Sequence, residues 1–470
     1  MPEKYHIETK PVPPRLARVG KFGVVDWHED CSQCHNCVKK ACIYDRHREE
    51  ARYIQNLNNV DALFFDCMGC FSCVQNCTKG LLSMSLNPTY EMLGNHYWTP
   101  EIIRTTWLQA ETAKVPVSGA GFRGKFSGPG FDSMWTDMSE IVRPTRDGIH
   151  GREYISTSVD IGRKVFNLTF DGEGSVSETP VLVDIPLPLI FDKVLGEYSL
   201  AKLEPALIET AVNTGLIVII DSEQSNELNN MMDEKHLRHI AFHIASGAAL
   251  PSKKLLAQTR LVEVADDAVT IKRIKELKAI EPEIVVSVRV KLDSRGVERV
   301  LELAENENVE AIHFVADMNG DEIGVEKPSF VKEMIREIHT TLIDRGTRDE
   351  ITLIAGGGIA LPEHMAKAML CGADLTSTYL PLLIGLECHL CKVCKPGRPC
   401  PAKLETIDPD YSVGRMTNLV AAWHSQFIEV MGAMGMREAR RLRGDAGRAL
   451  FFEELEEQSF GRLFGSRKQS

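Results

Sequence analysis

Four things are scarce or missing along these 470 residues. No run of eighteen apolar residues occurs, so no helix is expected to span a bilayer. The N-terminus, Met1–Arg18, is polar and punctuated by proline, unlike a secretory leader. Positive charge is in deficit: 54 Lys and Arg face 66 Asp and Glu, a formal net charge of −12. That removes the electrostatic footprint of a nucleic-acid binder and leaves, at most, docking to a basic redox partner. Isolated cysteines are scarce too, since of 13 cysteines only Cys371 stands apart from three tight clusters. Dispersed cysteines would suggest secreted disulfides, whereas clustered ones point to metal in a reducing, cytoplasmic setting. Hydrophobic residues at 43% and charged residues at 26% are those of a soluble globular chain, long enough for two or three domains.

The clusters carry the chemistry. Cys31, Cys34 and Cys37 recur at every third position, with Cys42 five residues on. Cys67, Cys70 and Cys73 repeat the pattern, with Cys77 four residues on. Three thiolates in seven residues plus a fourth from a distant segment suit an iron–sulfur cubane. In two-cluster ferredoxins the fourth cysteine of each run ligates the other cluster. The expected sets are therefore Cys31, Cys34, Cys37 and Cys77, and Cys67, Cys70, Cys73 and Cys42. Zinc is the alternative, but it would leave a surplus cysteine in both runs. The third set, Cys388, Cys391, Cys394 and Cys400, places four thiolates in one loop and suits a further [4Fe–4S] cluster, with zinc again the alternative. Cys371 reads as a small core residue. Clusters of this kind move electrons singly.

Residues 1–90 form a ferredoxin-like module that holds two [4Fe–4S] clusters and draws folding energy from them. Residues 91–178, rich in Gly and Pro around Ser118–Gly130 and Arg143–Gly162, read as an irregular segment wrapping the domain C-terminal to it. Over 179–404 short apolar runs alternate with amphipathic stretches. The runs are Val181–Ile185, Leu216–Asp221, Leu261–Ala265, Ile284–Leu292, Ala311–Asp317, Ile351–Ala355 and Leu375–Tyr379. The amphipathic stretches include Met231–Ser246. Strands of this kind, buried on both faces and separated by helices, predict a parallel (β/α)8 barrel. An eighth strand is sought in 318–330 or 166–178. Residues 405–470 read as C-terminal helices over Met416–Met434, Met436–Leu442 and Ala449–Glu457.

Strand Ile351–Ala355 runs into Gly356, Gly357 and Gly358, and Pro362 opens a helix soon after. Glycines let the backbone approach a phosphate, and barrels place phosphate after their seventh and eighth strands. Gly372, Ser377 and Thr378 complete the expected cradle, and an ordinary Gly-rich turn is the alternative. Beside electron-carrying clusters, a mononucleotide flavin, FMN, is the expected ligand. Arg289 and Lys291 share one face of an apolar strand and call for an anion, either the flavin or a dicarboxylate. Asp221, Ser222, Glu223, Asp317 and Asn319 stand at strand ends. Gly119-Ala-Gly121-Phe-Arg-Gly124 fits a dinucleotide fingerprint, but Lys-Phe-Ser-Gly-Pro-Gly comes next and opens no helix. NAD(P)H oxidation is therefore assigned to a partner.

Residues 25–442 resemble the FMN-binding domain of the glutamate synthase family. They are most similar to archaeal-type members with an N-terminal two-cluster ferredoxin module. The resemblance rests on the double cysteine run, Thr-Leu-Ile-Ala-Gly-Gly-Gly-Ile (352–359), Leu-Cys-Gly-Ala-Asp (370–374), the cysteine loop 385–401 and Val-Met-Gly-Ala-Met-Gly-Met-Arg-Glu-Ala (430–439). It implies a barrel with FMN and a [3Fe–4S] centre on Cys388, Cys394 and Cys400, which Cys391 would convert to [4Fe–4S]. It also implies catalytic roles for Lys291 and Glu223 at a flavin and 2-oxoglutarate site. Electrons would come from a ferredoxin or an NAD(P)H-oxidising flavoprotein subunit. Ammonia would come from a separate glutaminase-type subunit, because Pro2 follows Met1 where that domain has a cysteine, so a hetero-oligomeric complex is expected. Three family stretches differ: Ile-Phe-Asp-Lys (190–193), the segment 265–269 and Asp-Met-Asn-Gly (317–320). They shape the 2-oxoglutarate pocket, so an electron-transfer subunit without glutamate synthase activity of its own is the alternative.

Overall fold

The computed structural model describes residues 5–16, 19–26, 32, 34, 36, 70–115, 128–137, 154–165, 167, 169–176, 179–193, 203–224, 232–391, 400–461, 463 and 465. Strands β1 (Phe22–Asp26) and β2 (Leu82–Leu86) bracket the duplicated cysteine run and pair antiparallel, with Phe22 opposite Leu86 and Asp26 opposite Leu82. That pairing brings the two ends of the run together. Cys34, Cys70, Cys73 and Cys77 are described, whereas Cys31, Cys37, Cys42, Cys67 and Cys394 lie outside the described residues. So does the decoy glycine motif at 119–124.

The segment after β2 is more regular than its glycine and proline content suggests. Helix Pro100–Thr112 begins with proline at its first position, and the Thr99 side chain accepts from the Ile102 N–H, an N-terminal cap worth roughly 1 kcal/mol. Tyr90, Leu93, Tyr97 and Trp98 pack with Leu380, Ile384 and Leu390 in a second hydrophobic cluster, which fastens this segment to the chain beyond the last barrel strand. Beyond the helix come β3 (Met134–Thr136) and β4 (Val159–Ile161). The latter pairs antiparallel with β5 (Val183–Ile185).

Eight strands then close a parallel barrel: β6 (Leu189–Phe191), β7 (Ile217–Asp221), β8 (Ile240–Ile244), β9 (Leu261–Ala265), β10 (Val285–Lys291), β11 (Ala311–Val315), β12 (Thr352–Gly356) and β13 (Leu375–Thr378). The last pairs with β6 to complete the ring. All five residues of β8, of β11 and of β12 are buried, because packed side chains fill the barrel inside and helices cover it outside. Among the described residues no helix is long and apolar enough to cross a membrane.

Two strand assignments are corrected. Val181–Ile185 is not the first barrel strand: its core, β5, belongs to the antiparallel pair, and the barrel begins at Leu189. The missing strand is β8, which lies inside the stretch Met231–Ser246 that reads as a helix in sequence. Here the helix is only Glu234–Leu237. Five residues buried on both faces show no alternation, so periodicity cannot separate them from a buried helical turn. Among the described residues the sought regions supply isolated bridges only, Asp321 to Phe330, Ile323 to Asp293 and Phe170 to Val176.

The tail helix runs over Pro409–Ala433, capped by the Asp408 side chain, which accepts from the Tyr411 N–H. It packs against helices Pro100–Thr112, Glu204–Thr214 and Pro362–Cys371. The expected helix Met436–Leu442 is a 3-10 turn at Ala439–Leu442. Ala449–Glu457 divides into strand β14 (Ala449–Phe451), paired antiparallel with β3, and a short helix, Phe452–Glu456.

Candidate functional site

A cavity of about 1010 Å³ opens at the C-terminal ends of the barrel strands, the face on which barrels of this kind carry their chemistry. Its floor is a buried polar cluster that no single strand reveals. Glu263, on β9, is 1% exposed. Its carboxylate accepts from His243 Nδ1 at 2.8 Å, from His313 Nδ1 and from Arg289 Nη1 at 3.1 Å. Arg289 also holds Asp192 bidentately, at 2.7 and 3.0 Å. His313 Nε2 lies 2.7 Å from Ser377 Oγ. Burial pushes the Glu263 carboxyl upward, but Arg289, His313 and His243 outweigh it and hold the group well below the usual carboxylate range. The Glu263 carboxylate is thus engaged on both oxygens by donors, which is the condition for a charge to persist in a barrel interior.

Arg289, expected to meet a ligand, is instead committed to Asp192 and Glu263, which lie far from it in sequence and fold against it. Lys291 is exposed on the cavity rim and has no ion pair among the described residues. Lys193, on the same rim, is tied to Asp221 at 2.8 Å.

Gly357 and Gly358 line the cavity with φ of +96° and +68°, a region that favours glycine. A Cβ on Gly357 would lie 2.6 Å from the Asp317 carbonyl oxygen, and one on Gly358 would lie 2.9 Å from Gly320 Cα. The Tyr97 hydroxyl donates to the Gly358 carbonyl. The turn is thus pressed against the 317–320 loop, and both face the opening. Ser377 and Thr378 line the cavity, yet their hydroxyls are engaged, Ser377 with His313 and Thr378 with the Ile359 carbonyl at 3.0 Å.

Gly372 does not join the cradle expected of it. It caps helix Pro362–Cys371, before β13 and therefore at the opposite end of the barrel, and its carbonyl accepts from Arg348. Glu223 also departs from expectation: it is exposed in the turn after β7 and is not part of the cavity wall. Cys371 is buried as expected.

Asp192, His243, Glu263 and His313 are site residues that sequence reasoning missed. A signal exists for the last three. Each is a lone polar residue inside an apolar strand, in Ile-Ala-Phe-His-Ile, Leu-Val-Glu-Val-Ala and Ala-Ile-His-Phe-Val. The same cost argument that singles out Arg289 applies to them.

The third cysteine set continues from the cavity wall. Tyr379 and Leu380 line the cavity, helix Leu380–Gly385 comes next, and Cys388 lies three residues beyond it. Leu390 N–H donates to Cys388 Sγ at 3.4 Å. Burial pushes the Cys388 thiol up to about 11, and Cys400 and Cys391 add to this as neighbouring charges. A cationic metal would offset both effects. Arg15 clamps the loop by donating to Glu387 and to the Ala402 carbonyl. In the N-terminal module, backbone N–H groups led by Leu81 draw the Cys77 thiol down. The N–H of Asn36 does the same for Cys34, helped by the Thr78 side chain. Cys34 of the first run thus lies beside the end of the second, as ligand exchange between the runs requires. Among the described residues no three His, Cys, Asp or Glu side chains close around a single ion.

Residues 248–437 match the family model described as a conserved region in glutamate synthase. The archaeal-type glutamate synthase [NADPH] of Dehalococcoides mccartyi is 26% identical, over 92% of this chain and 96% of its own. That of Thermotoga maritima is 24% identical over 88% and 91%. The archaeal glutamate synthase [NADPH] of Archaeoglobus fulgidus is 22% identical over 90% and 93%. Of solved structures, mandelate oxidase with benzoyl-formic acid aligns at a TM-score of 0.42 and 14% identity, over 67% of this chain and 86% of that one.

Proposed function

We propose, from the premise that this chain is a glutamate synthase family protein, that it is an oxidoreductase dependent on FMN and iron–sulfur clusters. It passes electrons through three clusters to a flavin at the barrel mouth and reduces the imine of 2-oxoglutarate and ammonia to glutamate. The observation that carries this reading is continuity: the wall of the cavity and the cysteine loop are one uninterrupted segment, Ser377 to Cys388. A flavin is the group that turns single electrons into two-electron chemistry.

The residues fit such a ligand. The cavity has the volume of a cofactor site. Lys291 offers an uncommitted cation to the electron-rich edge of the ring. Gly357 and Gly358 present backbone free of side chains, where a phosphate would approach. Trp98 lines one side and is anchored by donating from Nε1 to the Met318 carbonyl at 2.9 Å. Cys388, Cys391 and Cys400, with Cys394, would hold the cluster beside the cavity. Cys31, Cys34, Cys37 and Cys77, and Cys67, Cys70, Cys73 and Cys42, would hold the other two. NADPH, named for the relatives, would be oxidised by a partner flavoprotein or replaced by a ferredoxin, and ammonia would come from a glutaminase-type partner.

A second reading is an electron-transfer subunit with no glutamate synthase activity of its own. Asp192, at the pocket-shaping stretch 190–193, is taken by Arg289, and Glu223 stands outside the cavity wall. With Arg289 held by Asp192 and Glu263 and Lys193 held by Asp221, a dicarboxylate would meet few free cations among the described residues. Glutamate formation by anaerobically purified full chain, with reduced methyl viologen, 2-oxoglutarate and ammonia, separates the two. Turnover is expected. None, from protein carrying its FMN and iron, would leave the second reading.

A further inference from the structure

The floor cluster holds two histidines that differ in one respect. His313 is fully buried, with one nitrogen against Glu263 and the other against Ser377. His243 is 5% exposed and lines the cavity. Its Nδ1 is bound to Glu263, and its Nε2 has no hydrogen-bond partner among the described residues. An ionised carboxylate only accepts, so Nδ1 must donate to Glu263. Nε2 then accepts when the ring is neutral and donates when it is protonated.

Apart from Lys291 and Tyr379, the titratable groups nearest this histidine on the neighbouring elements are committed; Asp317, after β11, accepts from the Asn319 and Asp321 N–H groups. Asp221 on β7 holds Lys193 of the β6 end. Asp266 and Asp267, after β9, are held by Arg299 and Arg273. Arg289 on β10 is held by Asp192 and Glu263, and His313 on β11 by Glu263 and Ser377. Lys291 stands exposed at the rim, and Tyr379 lines the wall after β13.

We infer that His243 is the proton donor of the cavity, fixed in one tautomer by Glu263, and that it protonates the nitrogen of an imino acid as the carbon is reduced. This rests on the proposed glutamate-forming reading and supplies its missing acid. Reduced flavin, when bound, would supply a hydride, two electrons and one proton, to the carbon of C=N. The nitrogen gains the His243 Nε2 proton as the π bond breaks, and a C–H and an N–H bond form. The neutral imidazole recovers its proton from water at the open mouth. Glu263 is a positioning residue: it orients the ring and stabilises its charged form, and bidentate Arg289–Asp192 pairing keeps the carboxylate in place.

The test uses cofactor-replete full chain with 2-oxoglutarate and ammonia as probes. His243→Asn retains an N–H for Glu263 and removes Nε2. Expected are unchanged FMN and iron content and 2-oxoglutarate binding, read from the flavin spectrum, within two-fold of the parent. Glutamate turnover should fall by about 10²–10⁴-fold. The alkaline limb of the parent's kcat profile, where a general acid is lost, should disappear. Glu263→Gln, which leaves His243 in place, should lower kcat and move that limb, and it decides the matter if His243→Asn fails to fold. Parent-like kcat with an unmoved limb overturns the inference while glutamate synthesis stands. A loaded parent that makes no glutamate overturns both together.

Discussion

Lys291 sits on the cavity rim with no acidic partner among the described residues, and a single side chain of this kind is simple to remove. Lys291→Ala should weaken FMN retention about ten- to hundred-fold, the effect of losing one charge-assisted hydrogen bond of ~1.5–3 kcal/mol. Flavin released during equilibrium dialysis measures it, and parent-like retention would remove the assigned role. At the far end of the barrel His339 offers a different test. Its Nδ1 accepts from Arg348 Nε at 3.0 Å, and Gly372 and Gly444 close over its ring. Burial, then Arg348 and Arg443, lower this imidazole from 6.5 to about 4. The unfolded chain therefore takes up the proton before the folded one does. Stability from this group is full above about pH 6.5 and is lost as pH falls through the window down to about 4. Urea midpoints should decline across that window, and less steeply in His339→Gln. At this scale the sequence is informative where a residue acts alone. Lys291 and the glycines at 357 and 358 are legible because an unpaired cation and a left-handed turn are local properties. The engagements of Arg289 and Ser377 are not legible, because their partners, Asp192 after β6, Glu263 on β9 and His313 on β11, are distant in sequence.

Arg415, in the helix Pro409–Ala433, is wholly buried and donates to three carbonyls: Gly385 at 2.6 Å, Val12 at 3.1 Å and Trp107 at 3.1 Å. It ties the start of the cysteine loop, the N-terminal arm and helix Pro100–Thr112 to one element. Arg415→Met should cost about 2–4 kcal/mol, because three buried acceptors lose their donor. Iron should leave the Cys388–Cys400 loop before it leaves the N-terminal module, read as a stepwise loss during chelator titration. Uniform loss would contradict that coupling. The body of this helix is legible from sequence as Met416–Met434, but its start is not: the chain enters it at Pro409, behind the Asp408 cap. Elements buried on both faces are not legible. The run containing β8 reads as helix. β5 reads as barrel strand because, in a run as short as Val-Leu-Val-Asp-Ile, the single exposed Asp184 is too little to separate an antiparallel pair from a barrel strand. The barrel as a class survives both errors, since alternation of strand and helix is a property of the whole stretch.

Over the whole molecule, the chain leaving β2 is packed against the chain leaving β13. Tyr97, Trp98 and Leu390 share a hydrophobic cluster, Trp107 lies 5.3 Å from the His389 ring, and the Gly94 N–H donates to the His389 carbonyl at 3.1 Å. The exit of the double cysteine run is thereby fixed beside the loop that begins at Cys388, which in turn extends the cavity wall. Domain order is readable from cysteine spacing and hydrophobic texture, whereas this contact depends on aromatic residues that carry no motif. Three redox centres in series with one flavin are the central claim. The direct test is to measure iron, acid-labile sulfide and FMN per chain in protein made and handled without oxygen. Three [4Fe–4S] clusters predict about twelve irons and as many sulfides, with one FMN. A colourless chain holding zinc and no flavin would contradict the account.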